Sequence, residues 1–180
     1  RRRILSKKLT DKGLIIVVSE PSGAGKSTIC RRLLAACPEL EFSVSYTSRT
    51  PRPNEIGGKD YHFISRELFQ RRIDEGEFVE WVENYGQFYG TSVKAINDVL
   101  NRGKDLLLDI EPRGAKAIKT QFPEAVFVFV LPPSPDELLK RLKKRGHESQ
   151  EAIKIRFAQA NSELKEVLWY NYTIFNEDLE

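Results

Sequence analysis

Residues 14–28 read LIIVVSEPSGAGKST, and this stretch decides the fold. Residues 14–18 are five apolar β-formers with the composition of a strand buried on both faces. Ile29, Leu33 and Leu34 resume at helical spacing beyond a turn. In that turn, residues 20–26, Gly23 and Gly25 let the backbone bend so that successive N–H groups face one anion. Lys26 supplies a mobile charge for outer phosphates, and the Ser27 hydroxyl is placed to ligate Mg²⁺. The new helix aims the positive end of its dipole at the same point. The set predicts a phosphate-binding loop made of Glu20, Pro21, Ser22, Gly23, Ala24, Gly25, Lys26, Ser27 and Thr28. The plainer alternative is a small-residue turn with a surface lysine, and the strand-turn-helix context argues against it. Glu20 stands where the pattern G-x-x-x-x-G-K-[ST] has its first glycine.

With 180 residues, 40% of them hydrophobic, the chain is long enough for one domain with a sizeable core and a smaller inserted lobe. The net charge of +3 is mild. Arg1, Arg2, Arg3, Lys7 and Lys8 concentrate basicity at the start, which reads as a solvated tail with no nucleic-acid partner. No run approaches the roughly 18 apolar residues of a membrane span, and no signal-peptide pattern precedes the first strand. The expectation is a cytoplasmic protein with no membrane partner. Cys30 and Cys37 lie about 10 Å apart along the first helix, too far to bridge, and read as core or surface thiols. The chain lacks Met and reads as a trimmed segment. Its sequence carries no signal for oligomeric state.

Downstream, residues 42–46 read as a short strand in which Phe42 and Val44 alternate with Ser43 and Ser45. The loop TSRTPRPNEIGGK, residues 47–59, threads Arg49 and Arg52 three apart, a candidate second anion site beside Tyr61. Residues 61–64 read as a strand, 66–75 as a helix capped by Ser65, and 77–82 as a strand in which Phe78, Glu80 and Val82 share one face. On pattern alone, Glu80 is an edge carboxylate facing water. A turn at Tyr85-Gly86 leads to FYGTS, residues 88–92, and Ser92 caps a helix over residues 93–101. Residues 105–110, DLLLDI, are a second buried strand, with Asp109 and Glu111 near its end, where a nucleotide's Mg²⁺ needs carboxylates.

Then come a helix over 114–121, a buried strand over 125–131, helices over 135–144 and 150–168, and a last strand over 172–175. Arg141, Arg145 and Arg156 stud the two helices around residues 145–149, either as a mobile cover or as a solvated basic face. The alternation of strand and helix predicts an α/β fold, a P-loop doubly wound parallel sheet with core residues 13–41 and 93–180. A mixed α/β lobe, residues 42–92, is inserted in it, and the helical lid covers about residues 141–157.

These pieces resemble the guanylate kinases over residues 13–180. The resemblance rests on SGAGKST at 22–28, SYTSRTPRPNEIGGKDYHF at 45–63, GEFVEW at 76–81, FYGTS at 88–92, RLKKRG at 141–146 with IRF at 155–157, and NEDLE at 176–180. It implies transfer of the γ-phosphoryl group of ATP to GMP, with Mg²⁺ required. It further implies that Arg49, Arg52, Tyr61 and Tyr89 hold the GMP phosphate, while Ser45, Glu80 and Thr91 read guanine. Asp109 matches an acidic position between the two substrate sites and belongs to the implied GMP set. On the donor side, Lys26 and Ser27 match triphosphate and metal residues, Arg141, Arg145 and Arg156 match lid arginines, and Asn176 matches a position near adenine. No side-chain nucleophile is needed, because the acceptor is the GMP phosphate itself.

Three features depart from the family pattern: Glu20, Glu111-Pro112-Arg113, and the lack of a helix after the last strand. A carboxylate turned into the loop would repel each nearby phosphate charge by about 2–4 kcal/mol at an effective dielectric of about 20. The expectation is therefore a Glu20 side chain directed away from the N–H groups, toward solvent or a nearby cation, with negative φ. On that expectation Glu20→Gly changes the ATP KM by less than about tenfold. The rival function is a non-catalytic guanylate-kinase-like scaffold domain that binds phosphopeptides. The presence of Lys26, Ser27, Arg141, Arg145 and Arg156 disfavours it. A kinase of the same fold acting on another phosphate acceptor is disfavoured by Ser45, Glu80 and Thr91 together.

Overall fold

The computed structural model describes residues 12–21, 26–84, 86–144 and 150–177. The decisive stretch becomes strand β1 (Ile15–Ser19) and helix α1 (Lys26–Ala36). Four further strands join β1 in one parallel sheet: β2 (Leu40–Phe42), β7 (Asp105–Asp109), β8 (Val126–Leu131) and β9 (Tyr172–Phe175), in the order β2-β7-β1-β8-β9. Central strands of such a sheet are covered on both faces, so they read as unbroken apolar runs. Val17, Leu107 and Leu108 are fully buried here. Helices α3 (Val93–Asn101) and α4 (Pro112–Gln121) pack with β1, β7 and β8 in the main core. On the other face, Cys30, Leu33 and Leu34 of α1 pack against Val18, Leu107 and Val130.

A second, four-stranded sheet is built from β3 (Tyr46–Thr47), β4 (His62–Phe63), β5 (Phe78–Asn84) and β6 (Gln87–Ser92), in the order β4-β3-β6-β5. Helix α2 (Arg66–Asp74) covers it, its N-terminus capped by the Ser65 hydroxyl accepting from the Leu68 N–H. The buried Phe69 ring stacks on Phe78 at 4.4 Å and on Phe88 at 5.3 Å, giving the lobe its own aromatic core. Trp81 meets Phe88 edge-on at 5.7 Å. In the main core, the other tryptophan, Trp169, stacks on Tyr170 and meets Phe127 edge-on.

The strand expected over residues 42–46 is divided between the two sheets. Phe42 ends β2 in the large sheet, the Ser43 N–H donates to the Leu107 carbonyl, and Tyr46 opens β3 in the small one. Alternation of apolar and polar residues is the same signal in both sheets, so it cannot show where a chain changes partner. Helices α5 (Pro135–Lys144) and α6 (Gln150–Glu163) bury Leu138, Leu142 and Ala160 with Ile153 and Phe157 in a small cluster of their own. The pattern expected to continue α6 to residue 168 tightens instead into a 3₁₀ helix, Leu164–Trp169. Among the described residues, no helix is long and apolar enough to cross a membrane.

Candidate active site

Parallel pairing of β1 with β7 sets Val18 opposite Asp109, which brings the end of β7 beside the loop that follows β1. Lys26, the first residue of α1 and only 8% exposed, sends its Nζ to within 2.6 Å of Asp109 Oδ1. It also donates to the Ile110 carbonyl at 3.2 Å. Burial works against the ammonium charge, but the Asp109 and Glu20 carboxylates outweigh it, and the pKa lies above the ordinary lysine range. Lys26 is thus cationic at every pH at which the fold is useful.

Glu20 does not do what the sequence reasoning expects. Its Oε2 accepts from the Lys26 backbone N–H at 2.5 Å, turned toward the N–H groups and not away from them. The reason is local: the first N–H groups of α1 have no partner within the helix, and its positive end attracts a carboxylate when no phosphate competes. From there its charge still acts on the Lys26 ammonium and raises its pKa. Its backbone is not left-handed, because among the described residues Asn54 is the non-glycine residue with positive φ. Pro21 is buried and Thr28 exposed. Ser22, Gly23, Ala24, Gly25 and Arg145 lie outside the described residues, as does the Ser27 side chain.

A cavity of about 570 Å³ opens between α1 and the small sheet. Ser45, Arg49, Arg52 and Tyr61 line it from the lobe, and Cys30 and Asp109 from the core. It gathers residues that are far apart in sequence. The Arg49 guanidinium lies 5.4 Å from the centre of the Tyr61 ring and is hydrogen-bonded to Tyr89, whose ring meets Tyr61 edge-on at 6.0 Å. Arg49 Nε is buried without a hydrogen-bond partner. Burial raises the Tyr61 phenol above its ordinary pKa, so it remains a donor. Burial and Asp109 push the Cys30 thiol up to about 12, making it inert lining.

Sequence reasoning missed Glu55. It accepts from both terminal guanidinium nitrogens of Arg49 at 2.9 Å and from the Arg52 backbone N–H at 2.7 Å, so one carboxylate shapes the loop that carries both arginines. Arg49 in turn holds the Glu55 carboxyl below its ordinary range. The one available signal was an acid three residues after Arg52 in a proline-rich loop.

Glu80, Thr91 and Tyr89 do not line the cavity itself. Strand β5 bulges here: Phe78 pairs with Ser92 and Glu80 with Thr91, so Val79 is extra and both Val79 and Glu80 are buried. Glu80 is therefore no edge residue facing water. It is 7% exposed and accepts from the Thr91 hydroxyl at 2.5 Å. Burial, aided by the Glu111 charge, raises its pKa to about 7. Glu111, the N-cap residue of α4, is held by Asn84 at 2.7 Å.

Gly114, in the first turn of α4, lies against the Glu80 side chain. A Cβ added there would lie 2.3 Å from Glu80 Oε2, so the helix comes close enough to the carboxylate only because the residue has no side chain. Gly114→Ala should displace Glu80 and raise the KM for GMP by about tenfold, ~1.4 kcal/mol. The variant's KM for ATP should stay near that of the parent. A steady-state titration of both substrates checks this.

On the donor side, Asn176 is buried and its carbonyl accepts from Arg141 at 3.1 Å, so two of the expected donor residues meet. Arg141 is further held by Glu137 at 3.1 Å, and Arg156 is half-buried on α6. Among the described residues, no group of three or more His, Cys, Asp or Glu side chains is arranged to hold a metal ion.

The guanylate kinase family model matches residues 12–180. A guanylate kinase of Syntrophus aciditrophicus is 52% identical over 169 residues, covering 94% of this chain and 81% of the relative. Another, of Symbiobacterium thermophilum, is 51% identical over 168 residues, covering 93% and 80%. The crystal structure of guanylate kinase from Anaplasma phagocytophilum matches with a TM-score of 0.75 at 34% identity, covering 94% of this chain and 80% of that one. By these matches and by the strand-loop-helix that organises it, the chain belongs to the guanylate kinase family.

Proposed function

We propose a division of labour for the reaction of this guanylate kinase, transfer of the γ-phosphoryl group of ATP to the phosphate of GMP. The observation that carries it is the cavity in which Arg49, Arg52 and Tyr61 face Asp109, with Arg49 Nε left without a partner. The GMP phosphate lies there, held by Arg49, Arg52, Tyr61 and Tyr89. The Arg49 Nε–H, the Arg52 guanidinium and two phenols offer donors to a dianion with several acceptor oxygens. Its base reaches Ser45, Glu80 and Thr91. The ionised Glu80 accepts from N1–H and the exocyclic amino group of guanine, whereas adenine would set an acceptor against the charge.

ATP takes the loop, residues 20–28, with Lys26 on its outer phosphates and Asn176 near adenine. Mg²⁺ suits the oxygen donors at this place, but Asp109 and Glu111 are engaged by Lys26 and Asn84. The ion would therefore come with the ATP phosphates, where Ser27 would hold it and where it would neutralise phosphate charge. The chain's own part is positioning and charge: Lys26, Arg141, Arg145 and Arg156 stabilise the moving phosphoryl group, and no covalent intermediate forms. The lobe, residues 42–92, and the lid, residues 141–157, close over the core to exclude water. A cytoplasmic location, where both nucleotides are available, is part of this reading.

A coupled assay with ATP·Mg²⁺ and a panel of nucleoside monophosphates tests this, and rapid turnover is expected with GMP alone. Equal turnover of AMP would overturn the assignment of the guanine residues. Tight phosphopeptide binding with no turnover of any monophosphate would favour the scaffold function.

A further inference from the structure

Both groups with which Lys26 would meet a phosphate are engaged by the chain itself. The ammonium is paired with Asp109 at 2.6 Å, and the backbone N–H is taken by Glu20 at 2.5 Å. The second engagement is peculiar to a sequence with Glu at the position where the phosphate-loop pattern has glycine, because glycine offers no acceptor. An N–H at the start of a helix is a strong anion donor, and a carboxylate oxygen is a fair copy of a phosphate oxygen in charge and size. Glu20 is also only partly buried.

We propose that Glu20 is a built-in competitor for the donor nucleotide: its carboxylate occupies the phosphate's place at the Lys26 N–H and must leave before the triphosphate can bind. The inference rests on the assignment of ATP to residues 20–28 made above. Two consequences follow from electrostatics. The bound nucleotide cannot share the N–H groups with the carboxylate, because two anions would then be within a few Å in a partly buried place. Weak anions such as inorganic phosphate bring too few contacts to displace it, whereas a Mg²⁺-bound nucleotide with several phosphate oxygens does. Glu20 thereby sets a threshold for occupancy of the donor site, which chelated polyphosphates clear and single phosphates do not.

The test is calorimetric titration of the full 180-residue chain with ADP·Mg²⁺ and, separately, with inorganic phosphate. In Glu20→Gly both should bind at least about tenfold more tightly than in the parent, ~1.4 kcal/mol, and the dissociation constant for GMP should move by less than about twofold. Glu20→Gln keeps the volume and removes the charge, and should give a gain of about threefold or more. It carries the test if the glycine variant does not fold. Unchanged or weaker ADP·Mg²⁺ binding in the variants overturns the proposal. A Lys26→Ala arm separates the two readings. If that variant keeps full ADP·Mg²⁺ affinity and turnover, the donor site has been wrongly assigned. If it loses them while the Glu20 variants gain nothing, the competitor alone is refuted.

Discussion

Lys26→Ala is expected to lower kcat by ~10³-fold or more while leaving the affinity for GMP within a few-fold. The size follows from the position of the ammonium. It is buried, hence poorly screened, and it is fixed by Asp109 and the Ile110 carbonyl before any substrate arrives. No reorganisation is needed when charge develops on the transferring group. The separation of effects follows from the architecture, because the GMP phosphate is assigned to Arg49, Arg52, Tyr61 and Tyr89 on the small sheet and its loops. The substitution also leaves Asp109 without its partner near Glu20 and Glu111, so some stability is lost, and a melting curve should accompany the kinetics. A coupled assay for kcat and calorimetry for GMP decide the matter: a fall in GMP affinity as large as the fall in kcat would contradict two separate anion sites.

Glu80→Gln should lower kcat/KM for GMP by ~10²-fold and narrow the GMP-to-AMP preference by a similar factor. Glutamine keeps one acceptor but replaces the other with a donor, which leaves one guanine N–H facing an amide N–H. The parent should show a pH dependence that the variant lacks. Burial raises the Glu80 pKa to about 7, and the ionised form is the one that accepts from guanine, so kcat/KM for GMP rises with pH through about 7. GMP brings donors that favour the carboxylate and so releases a proton on binding near neutral pH. For folding the sign is opposite. The folded pKa lies above the ordinary carboxylate value, so the native state binds more protons between the two. This group's contribution to stability is thus lost as pH rises through about 7. The checks are pH profiles of parent and variant together, because the GMP phosphate titrates in both and the Glu80 inflection in one. Matching profiles would remove Glu80 from guanine recognition.

Much of the fold was legible because parallel strands buried on both faces announce themselves as apolar runs. Residues 14–18, 105–110 and 125–131 became β1, β7 and β8 to within a residue or so. The site was legible where chemistry demands a residue type at a fixed spacing, as at Lys26. What stayed hidden depended on geometry with no local signal. Period-two alternation put Phe78 and Glu80 on one face, but a single bulged residue redirected the strand and buried the carboxylate. Gly114 looked like an ordinary residue at a helix start, because its neighbour Glu80 is 34 positions away and belongs to the other sheet. Glu20 was misjudged because the argument placed ATP in the loop and asked what a carboxylate would cost there. In the unliganded chain the same N–H groups are a favourable place for it.

The two tryptophans are divided between the two sheets: Trp81 follows Glu80 on β5, 45% exposed at the edge of the aromatic core, while Trp169 lies packed against Tyr170 and Phe127 in the main core. The chain thus carries one optical label in each of its two cores. Emission from Trp81 comes from a ring partly in water and is red-shifted, and that from Trp169 comes from a ring against other aromatics and is bluer. Trp169→Phe leaves fluorescence that belongs to the small sheet, and Trp81→Phe leaves fluorescence that belongs to the main core. The order in which the two nucleotides arrive is then a matter of which colour changes first.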